Sequence, residues 1–549
     1  MHAIECAPTR RSDKKRLSRA SNLESERFGS LEEQCGFNFG TKAHPGGHEI
    51  SRPMARALAL VCAALLAPLS SAYTCDNALI DPEPAPEKAG AFAAYGHGHG
   101  LRVHDHNHDG ALPLPSAPAA SAAARAYAAR RASAAAPPAL AAERLPLSSV
   151  KLLDGGRGAL GQSTTLAWLQ LFDAERLLFS FRATANLSTN GAQSYGGWES
   201  PGSLLRGHIT GGHFLSAAAQ MVNSTGDAAL AKTLAYLVGE LQACQAANEA
   251  LFGAGYLSAY PPDQFTCLEN DMQGCHIWAP YYTVAKILRG LYDVYALVGD
   301  TRAAAVAQGM MSYFAGRIRA FIARSTVSAW HPLLNAEFGG MNDVAWLFYQ
   351  ATGSADALYL AGAFDKACLL GPMALGEDYL AGIHANTHIP VVVGAAQGFE
   401  ATGFAPFELA TKGYFDAVHS GHTFVTGGAS TGEWWGDAHR LGDGLDVNAV
   451  ESCTSYNTLK ISRALFSWSL DAGFLDSYER LKFSGMFGTM HPTAPGRILY
   501  MLPIDSTGVS KAHSYYGWSD PTDSMWCCSG SGMESGASCA ITHALAEPT

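Results

Sequence analysis

The chain has 549 residues, 48% of them hydrophobic and only 15% charged, with a net charge of −11. That length allows several domains and a large core. The acidic balance, and the lack of a long basic run in the main body, argue against nucleic acid as a partner.

Residues 1–53 are polar and basic without hydrophobic period, and are expected to form a non-structured extension, outside the protein if translation starts at Met54. Met54-Ala55-Arg56 then opens an apolar run from Ala57 to Leu69, closed by Ser70-Ser71-Ala72. A basic start, a short apolar core and small residues at a cleavage position predict a signal peptide over 54–72 and a secreted chain. The run is too short for a stable membrane span; a signal anchor with a cytoplasmic tail is the alternative. Two sequons, Asn186-Leu187-Ser188 and Asn223-Ser224-Thr225, fit the secretory route.

Residues 73–147 read as a disordered Ala/Pro/His-rich linker, with Ser116-Ala117-Pro118 and Ala134-Ala135-Ala136-Pro137-Pro138 as its texture. The histidines from His97 to His108 inside it are either a metal-scavenging tract or a solvated low-complexity segment.

From residue 148 to 549 the pattern is that of one catalytic-size domain built from helices. One is predicted from Gln162 to about Ala185, another from Tyr281 to Val298 with Val284, Ile287, Leu288, Leu291, Tyr295 and Val298 on one stripe. A turn recurs in Gly226-Asp227, Gly299-Asp300, Gly353-Ser354 and Gly403. The glycine can end a helix in the left-handed conformation and, in the first three, the next residue can cap the following helix. About ten to twelve helices are expected between residues 160 and 490. A mainly α fold of the (α/α)6 toroid type buries that many apolar stripes economically; an open α-solenoid is the alternative. Arg497-Ile498-Leu499-Tyr500-Met501-Leu502-Pro503-Ile504 reads as a strand. A β domain would be expected to follow it, yet the chain stops at Thr549.

Twelve cysteines are present, eight of them from Cys244 onward. Cys267 and Cys275 are close enough in one loop to pair. Cys527 and Cys528 are adjacent, which strains a bridge between them and favours a metal. Glu451-Ser452-Cys453 opens a predicted helix with Tyr456, Leu459, Ile461, Leu465 and Trp468 on its buried side. Glu451, Cys453, Cys527 and Cys528 make a soft anionic set suited to tetrahedral Zn2+. The competing reading is a disulfide from Cys453 to Cys527 or Cys528 with Glu451 solvated.

Gly427-Gly428-Ala429-Ser430-Thr431-Gly432-Glu433-Trp434-Trp435 places an acid beside aromatics that suit stacking on sugar rings; an exposed loop glutamate is the plainer reading. His208, His213, His384 and His388 fall at helix starts. With Trp198 and Trp278 they suggest an aromatic sugar cleft, although a single histidine is more often structural.

Together these residues resemble the zinc-dependent β-L-arabinofuranosidases of glycoside hydrolase families 127 and 146, the latter more nearly. The similarity runs from Leu145 to Gly536. It is carried by Val150-Lys151-Leu152-Leu153-Asp154-Gly155, Leu177 to Arg182, Arg206-Gly207-His208, Glu337-Phe338-Gly339-Gly340-Met341-Asn342 and His384-Ala385-Asn386-Thr387. It continues in Gly432-Glu433, Glu451-Ser452-Cys453 with Tyr456-Asn457 and Leu459-Lys460, and Trp526-Cys527-Cys528 with Gly530 and Gly532-Met533-Glu534-Ser535. The resemblance implies an (α/α)6 barrel followed by β-sandwich domains, of which the last barrel helix and the β part are expected to be missing. It further implies Cys527 as nucleophile, Glu433 as acid/base, and Glu451, Cys453, Cys527 and Cys528 as zinc ligands. His208, His213, Glu337, Asn342, His384 and Asn386 would contact substrate. The implied reaction is retaining release of L-arabinofuranose, or a related furanose, from an arabinose-containing glycan. A non-catalytic, zinc-stabilised glycan-binding remnant is the alternative, and a lyase or unsaturated-uronide hydrolase on a toroid is a weaker one.

Overall fold

The computed structural model describes residues 137–539 and 545–546, apart from 271, 273–274, 506–508 and 515. The extension at 1–53, the signal peptide at 54–72, and the linker up to residue 136 with its histidine tract lie outside the described residues.

The first predicted helix is two: α1 Arg157–Leu169 and α2 Ala174–Thr184. Asp173 separates them by accepting a hydrogen bond from the Arg176 amide, an N-cap inside what reads as one apolar stripe. Then come α3 Phe214–Thr225, α4 Ala228–Phe252, α5 Pro280–Asp293, α6 Thr301–Arg324, α7 Met341–Thr352 and α8 Ala355–Ala363. The series ends with α9 Ala385–Thr402, α10 Ala405–Ala417, α11 Ser452–Ser469, α12 Ala472–Arg480 and α13 Cys527–Ala537. Helix α5 continues through a π-helical turn to Val298, so the predicted span from Tyr281 to Val298 is helical throughout.

The recurrent turn works as its chemistry requires. Gly226, Gly299, Gly353 and Gly403 all have φ between 65° and 83°, and Asp227, Asp300 and Ser354 cap the helices that follow. A fifth copy between α11 and α12 uses Leu470 at φ 58° with Asp471 as cap. It has no glycine and so is invisible to a glycine pattern.

Helices α3, α5, α7, α9, α11 and α13 each pack against the next, and α13 packs back on α3. That is a closed inner ring, so the fold is a toroid and not an open solenoid. Helices α4, α6, α8, α10 and α12 lie outside as partners of the inner helix before them, and α1 is the outer partner of α13. The expectation that the last barrel helix is missing is therefore corrected: α13 closes the ring, and its outer partner is the N-terminal α1. Every residue of α13 is buried. Its glycines allow the fit: a Cβ on Gly536 would stand 2.0 Å from Thr165 Oγ1 of α1, and one on Gly530 would stand 2.3 Å from the His213 ring.

The segment before α1 belongs to the fold sooner than the linker reading implies. Ala142 donates its amide to the Ser467 carbonyl, Arg144 pairs with Glu400, and β1 Glu143–Arg144 runs antiparallel to β2 Leu545–Ala546. The predicted strand Arg497–Ile504 is instead an extended segment making single bridges, Ile498 to Met490, Leu499 to Trp518 and Met501 to Glu451. Its neighbours are single residues of loops, so no ladder forms. Cys267 and Cys275 are joined by a disulfide. Among the described residues no helix is long and apolar enough to cross a membrane.

Candidate metal centre and active site

Inner helices bring their N-terminal ends to one mouth of the ring, where unpaired amides and the positive dipole end favour anions. Glu451 is the residue before α11, Cys453 lies in its first turn, and Cys527 and Cys528 open α13. One ligand atom from each of these four residues lies within 4.8 Å of the others, and all four are buried. Cys453 Sγ and Cys528 Sγ are 3.3 Å apart, and Cys528 Sγ lies 3.6 Å from Glu451 Oε1. Ser531 donates to Cys453 Sγ at 3.2 Å, and Thr454 to Glu451 Oε2 at 2.9 Å. Cys453, Cys527 and Cys528 are free thiols, so the disulfide reading does not hold.

The donor set fits a zinc ion. Tetrahedral zinc with thiolates at about 2.3 Å separates sulfurs by roughly 3.8 Å, close to the spacing present. The electrostatics point the same way. Burial works to push the Cys527 thiol up, but hydrogen bonds from Cys453, Cys528 and Tyr500 bring it well below the usual range. Burial holds Cys453, Cys528 and Glu451 well above theirs, with the Cys527 charge adding to the effect. Four anionic ligands packed this closely ionise together only around a cation.

Glu433 reaches the centre from a tight turn. Thr431 and Trp434 exchange backbone hydrogen bonds, and Gly432 and Glu433 both have positive φ, 57° and 73°, as a two-residue type I′ hairpin turn requires. Val450, just before Glu451, also has φ 53°. Such a backbone costs about 1–3 kcal/mol per residue. It is pinned by the Val450 amide donating to Ser430 and the Leu502 amide donating to Val450. Tyr500 donates its hydroxyl to Glu433 and lies 3.2 Å from Cys527 Sγ. His384 Nε2 sits 3.6 Å from the other Glu433 oxygen. Burial lowers the His384 pKa, but Glu433 and the neighbouring acids outweigh it and push it up to about 9. Glu337 is pushed up to about 7 by burial, with Cys527 and Glu433 among the charges acting on it.

Three of the other expected substrate contacts place a polar atom between helices. Asn342 donates to the Val391 carbonyl of α9 and is fully buried. Asn386 accepts from Asn457 at 2.8 Å, tying α9 to α11. His213 is fully buried and binds Glu534 of α13 through Nδ1. His208 is fully buried too, its ring set edgewise on Trp198 and Tyr282. Asn342, Asn386 and His213 each tie two helices beside the site, whereas both ring nitrogens of His208 and Nε2 of His213 are buried without a partner. A polar residue at a helix mouth reads alike in both roles; only the contacts separate them.

Trp198 packs against the cysteine cluster and lies 5.5 Å from Trp278, ring to ring, as an aromatic cleft predicts. Trp434, 44% exposed beside His384, is a second platform. Sequence reasoning missed Tyr500, hidden in an apolar run. It also missed Glu199, whose buried carboxylate accepts from the Gly207 and Ile209 amides and so holds the turn bearing His208.

Comparison with known proteins bears on the fold and the family. No curated protein matches the chain. A solved structure titled as a family 127 β-arabinofuranosidase superposes with a TM-score of 0.51 at 15% identity, covering 73% of this chain and 62% of its own. A family 127 β-L-arabinofuranosidase from Geobacillus stearothermophilus T6 gives 0.52 at 15% identity, covering 71% and 65%. The chain thus spans less than two thirds of either neighbour, and at this identity the likeness concerns the fold. The model of the family 127 β-L-arabinofuranosidase catalytic domain matches residues 149–540, and the chain belongs to that family.

Proposed function

We propose that the protein is a secreted, retaining glycoside hydrolase that releases L-arabinofuranose, or a related furanose, from glycans, with Cys527 as nucleophile and Glu433 as acid/base. One observation carries the reading: Glu433 and Cys527 both touch the Tyr500 hydroxyl. Two groups no farther apart than two hydrogen bonds match the ~5–5.5 Å of retaining pairs, and not the ~6.5–9.5 Å that leaves room for water in inverting ones.

Glu433 gives its proton to the glycosidic oxygen while Cys527 Sγ attacks the anomeric carbon. The C–O bond breaks as the S–C bond forms. Glu433, now a carboxylate, takes a proton from water. The water oxygen displaces sulfur, and the thiolate and the protonated acid are restored. Tyr500 has one proton to give: it goes to the Cys527 thiolate while Glu433 is protonated, and to Glu433 once that is a carboxylate. Trp198 and Trp434 offer faces on which a sugar stacks. A zinc ion held by Glu451, Cys453, Cys527 and Cys528 would supply the positive charge that keeps these thiols ionised.

Export belongs to the same proposal. It rests on the 54–72 pattern, on the Cys267–Cys275 bridge, which an oxidising compartment permits, and on the exposed sequon residue Asn186.

The test is release of L-arabinose from a nitrophenyl β-L-arabinofuranoside by zinc-loaded protein. Cys527→Ser is expected to abolish turnover, and Glu433→Gln to slow it by about 10²–10⁴-fold. Unchanged turnover in either variant overturns the assigned roles. Sugar binding without any turnover by the parent chain would instead make it a glycan-binding protein.

A further inference from the structure

A cavity lies inside the ring, along the C-terminal part of α11, with a volume of about 280 Å3. One water needs ~10–15 Å3 on the same measure. None of the four thiol-centre ligands lines it. Lys460 and Arg463 of its wall lie seven and ten residues beyond Cys453 on α11, which is ~10 and ~15 Å along the helix axis. The wall gathers five cationic side chains, Arg144, Arg289, Lys460, Arg463 and Lys482, against a single carboxylate, Asp293.

The carboxylates within reach are already taken. Arg289 binds Asp293 at 3.0 Å and Asp343 at 3.1 Å, and Arg144 binds Glu400 at 2.6 Å. Lys482, 1% exposed, donates to the Ser535 carbonyl and hydroxyl, both at 2.9 Å, which are neutral acceptors. Among the described residues no carboxylate forms a direct ion pair with Lys460 or Arg463, both half-buried; the charges of Glu534 and Asp343 act on Lys460 from farther off, and its Nζ rests over the Tyr456 ring at 4.4 Å. The Nε groups of Arg463 and Arg144 are buried with no partner, and so is Oε1 of Gln220, a residue only 5% exposed. Burial, then the charge of Arg289, pushes Lys460 down to about 8; burial, then Arg144, pushes Arg463 down to about 10.

Half-buried cations short of counter-charge are costly, and a bound anion offsets that cost. A guanidinium fork and two ammonium groups on the wall of one cavity suit the oxygens of a compact oxyanion. The unpartnered Gln220 oxygen suits an oxygen that keeps its proton, as one does in hydrogen phosphate. We propose that this cavity is a binding site for a small oxyanion of the phosphate class, held by Lys460, Arg463 and Lys482.

Titration calorimetry of the full-length, zinc-loaded protein with inorganic phosphate, at constant ionic strength in chloride, is expected to show one site per chain and a matching rise in melting temperature. Arg463→Met and Lys460→Met are each expected to weaken binding about tenfold or more, the weight of one charge-assisted hydrogen bond. Should Arg463→Met not fold, Arg463→Lys keeps the charge and loses the fork, and is expected to weaken binding in the same direction. The site is overturned if phosphate gives no heat and no shift beyond that of chloride. It is equally overturned if binding persists undiminished in the Arg463 and Lys460 variants, or is lost in Cys528→Ser but kept in Arg463→Met, which would place the anion at the thiol centre.

Discussion

The Tyr500 hydroxyl stands 3.2 Å from Cys527 Sγ while it donates to Glu433, so one phenol links the two groups assigned to the chemistry. Burial holds that phenol well above its ordinary pKa, which keeps it a donor across the working pH range. Tyr500→Phe preserves the ring and removes the bridge. The expected loss in kcat/KM is about 10–100-fold, the value of a hydrogen bond to a charged group, with zinc content unchanged. Equal rates in the two proteins would remove Tyr500 from the mechanism.

Zinc retention should depend on all four ligands. Metal analysis of the native chain is expected to give one zinc per chain near neutral pH. The fraction should fall on acidification, because thiols and carboxylate must be deprotonated to bind. Cys528→Ser should lose zinc at concentrations of chelator that the native chain resists, and its melting temperature should drop with it. A variant that keeps full zinc occupancy would show that Cys528 is not a ligand.

The pairing of His384 with Glu433 has a pH consequence. His384 is pushed up to about 9 from an ordinary value near 6.5. A raised histidine adds stability that is fully present below about 6.5 and is lost as pH rises to about 9. A shift of that size is worth up to about 3 kcal/mol. Denaturant unfolding of His384→Asn should therefore show a shallower decline across this window than the native chain. Identical declines would mean that the pair does not form in solution.

Ring closure can be tested at a single atom. Gly536→Ala would set a methyl 2.0 Å from Thr165 Oγ1 and 2.9 Å from Met490 Cε. Overpacking of this kind costs about 1–3 kcal/mol. Thr165→Ala removes the hydroxyl and should restore part of the loss in the double variant, as touching residues do in a mutant cycle. Additive losses would place α13 away from α1.

Much of the fold is legible in the chain because its signals act over a few residues. A glycine that must be left-handed and an Asp or Ser that caps the next helix fix helix ends locally, at Gly226, Gly299 and Gly353. The same turn at Leu470 escapes notice because a leucine there announces nothing, and Asp173 divides a stripe whose periodicity runs on past it. The ligand set was legible for a similar reason: two short motifs, Glu451-Ser452-Cys453 and Cys527-Cys528, each carry donor atoms whose chemistry has few other uses.

What the sequence determined by itself was thus the alphabet of the protein: helical punctuation, a soft anionic ligand set, and an acid among aromatics at Glu433. Tertiary structure decided who meets whom. It closed the ring by giving α13 the N-terminal α1 as outer partner, drew Tyr500 out of an apolar run to stand between acid and thiol, and turned Asn342, Asn386 and His213 into ties between helices. It also set Lys460 and Arg463 on a cavity wall where cations outnumber carboxylates. These outcomes rest on contacts between residues tens to hundreds of positions apart, and no spacing along the chain encodes the angle at which two helices pack.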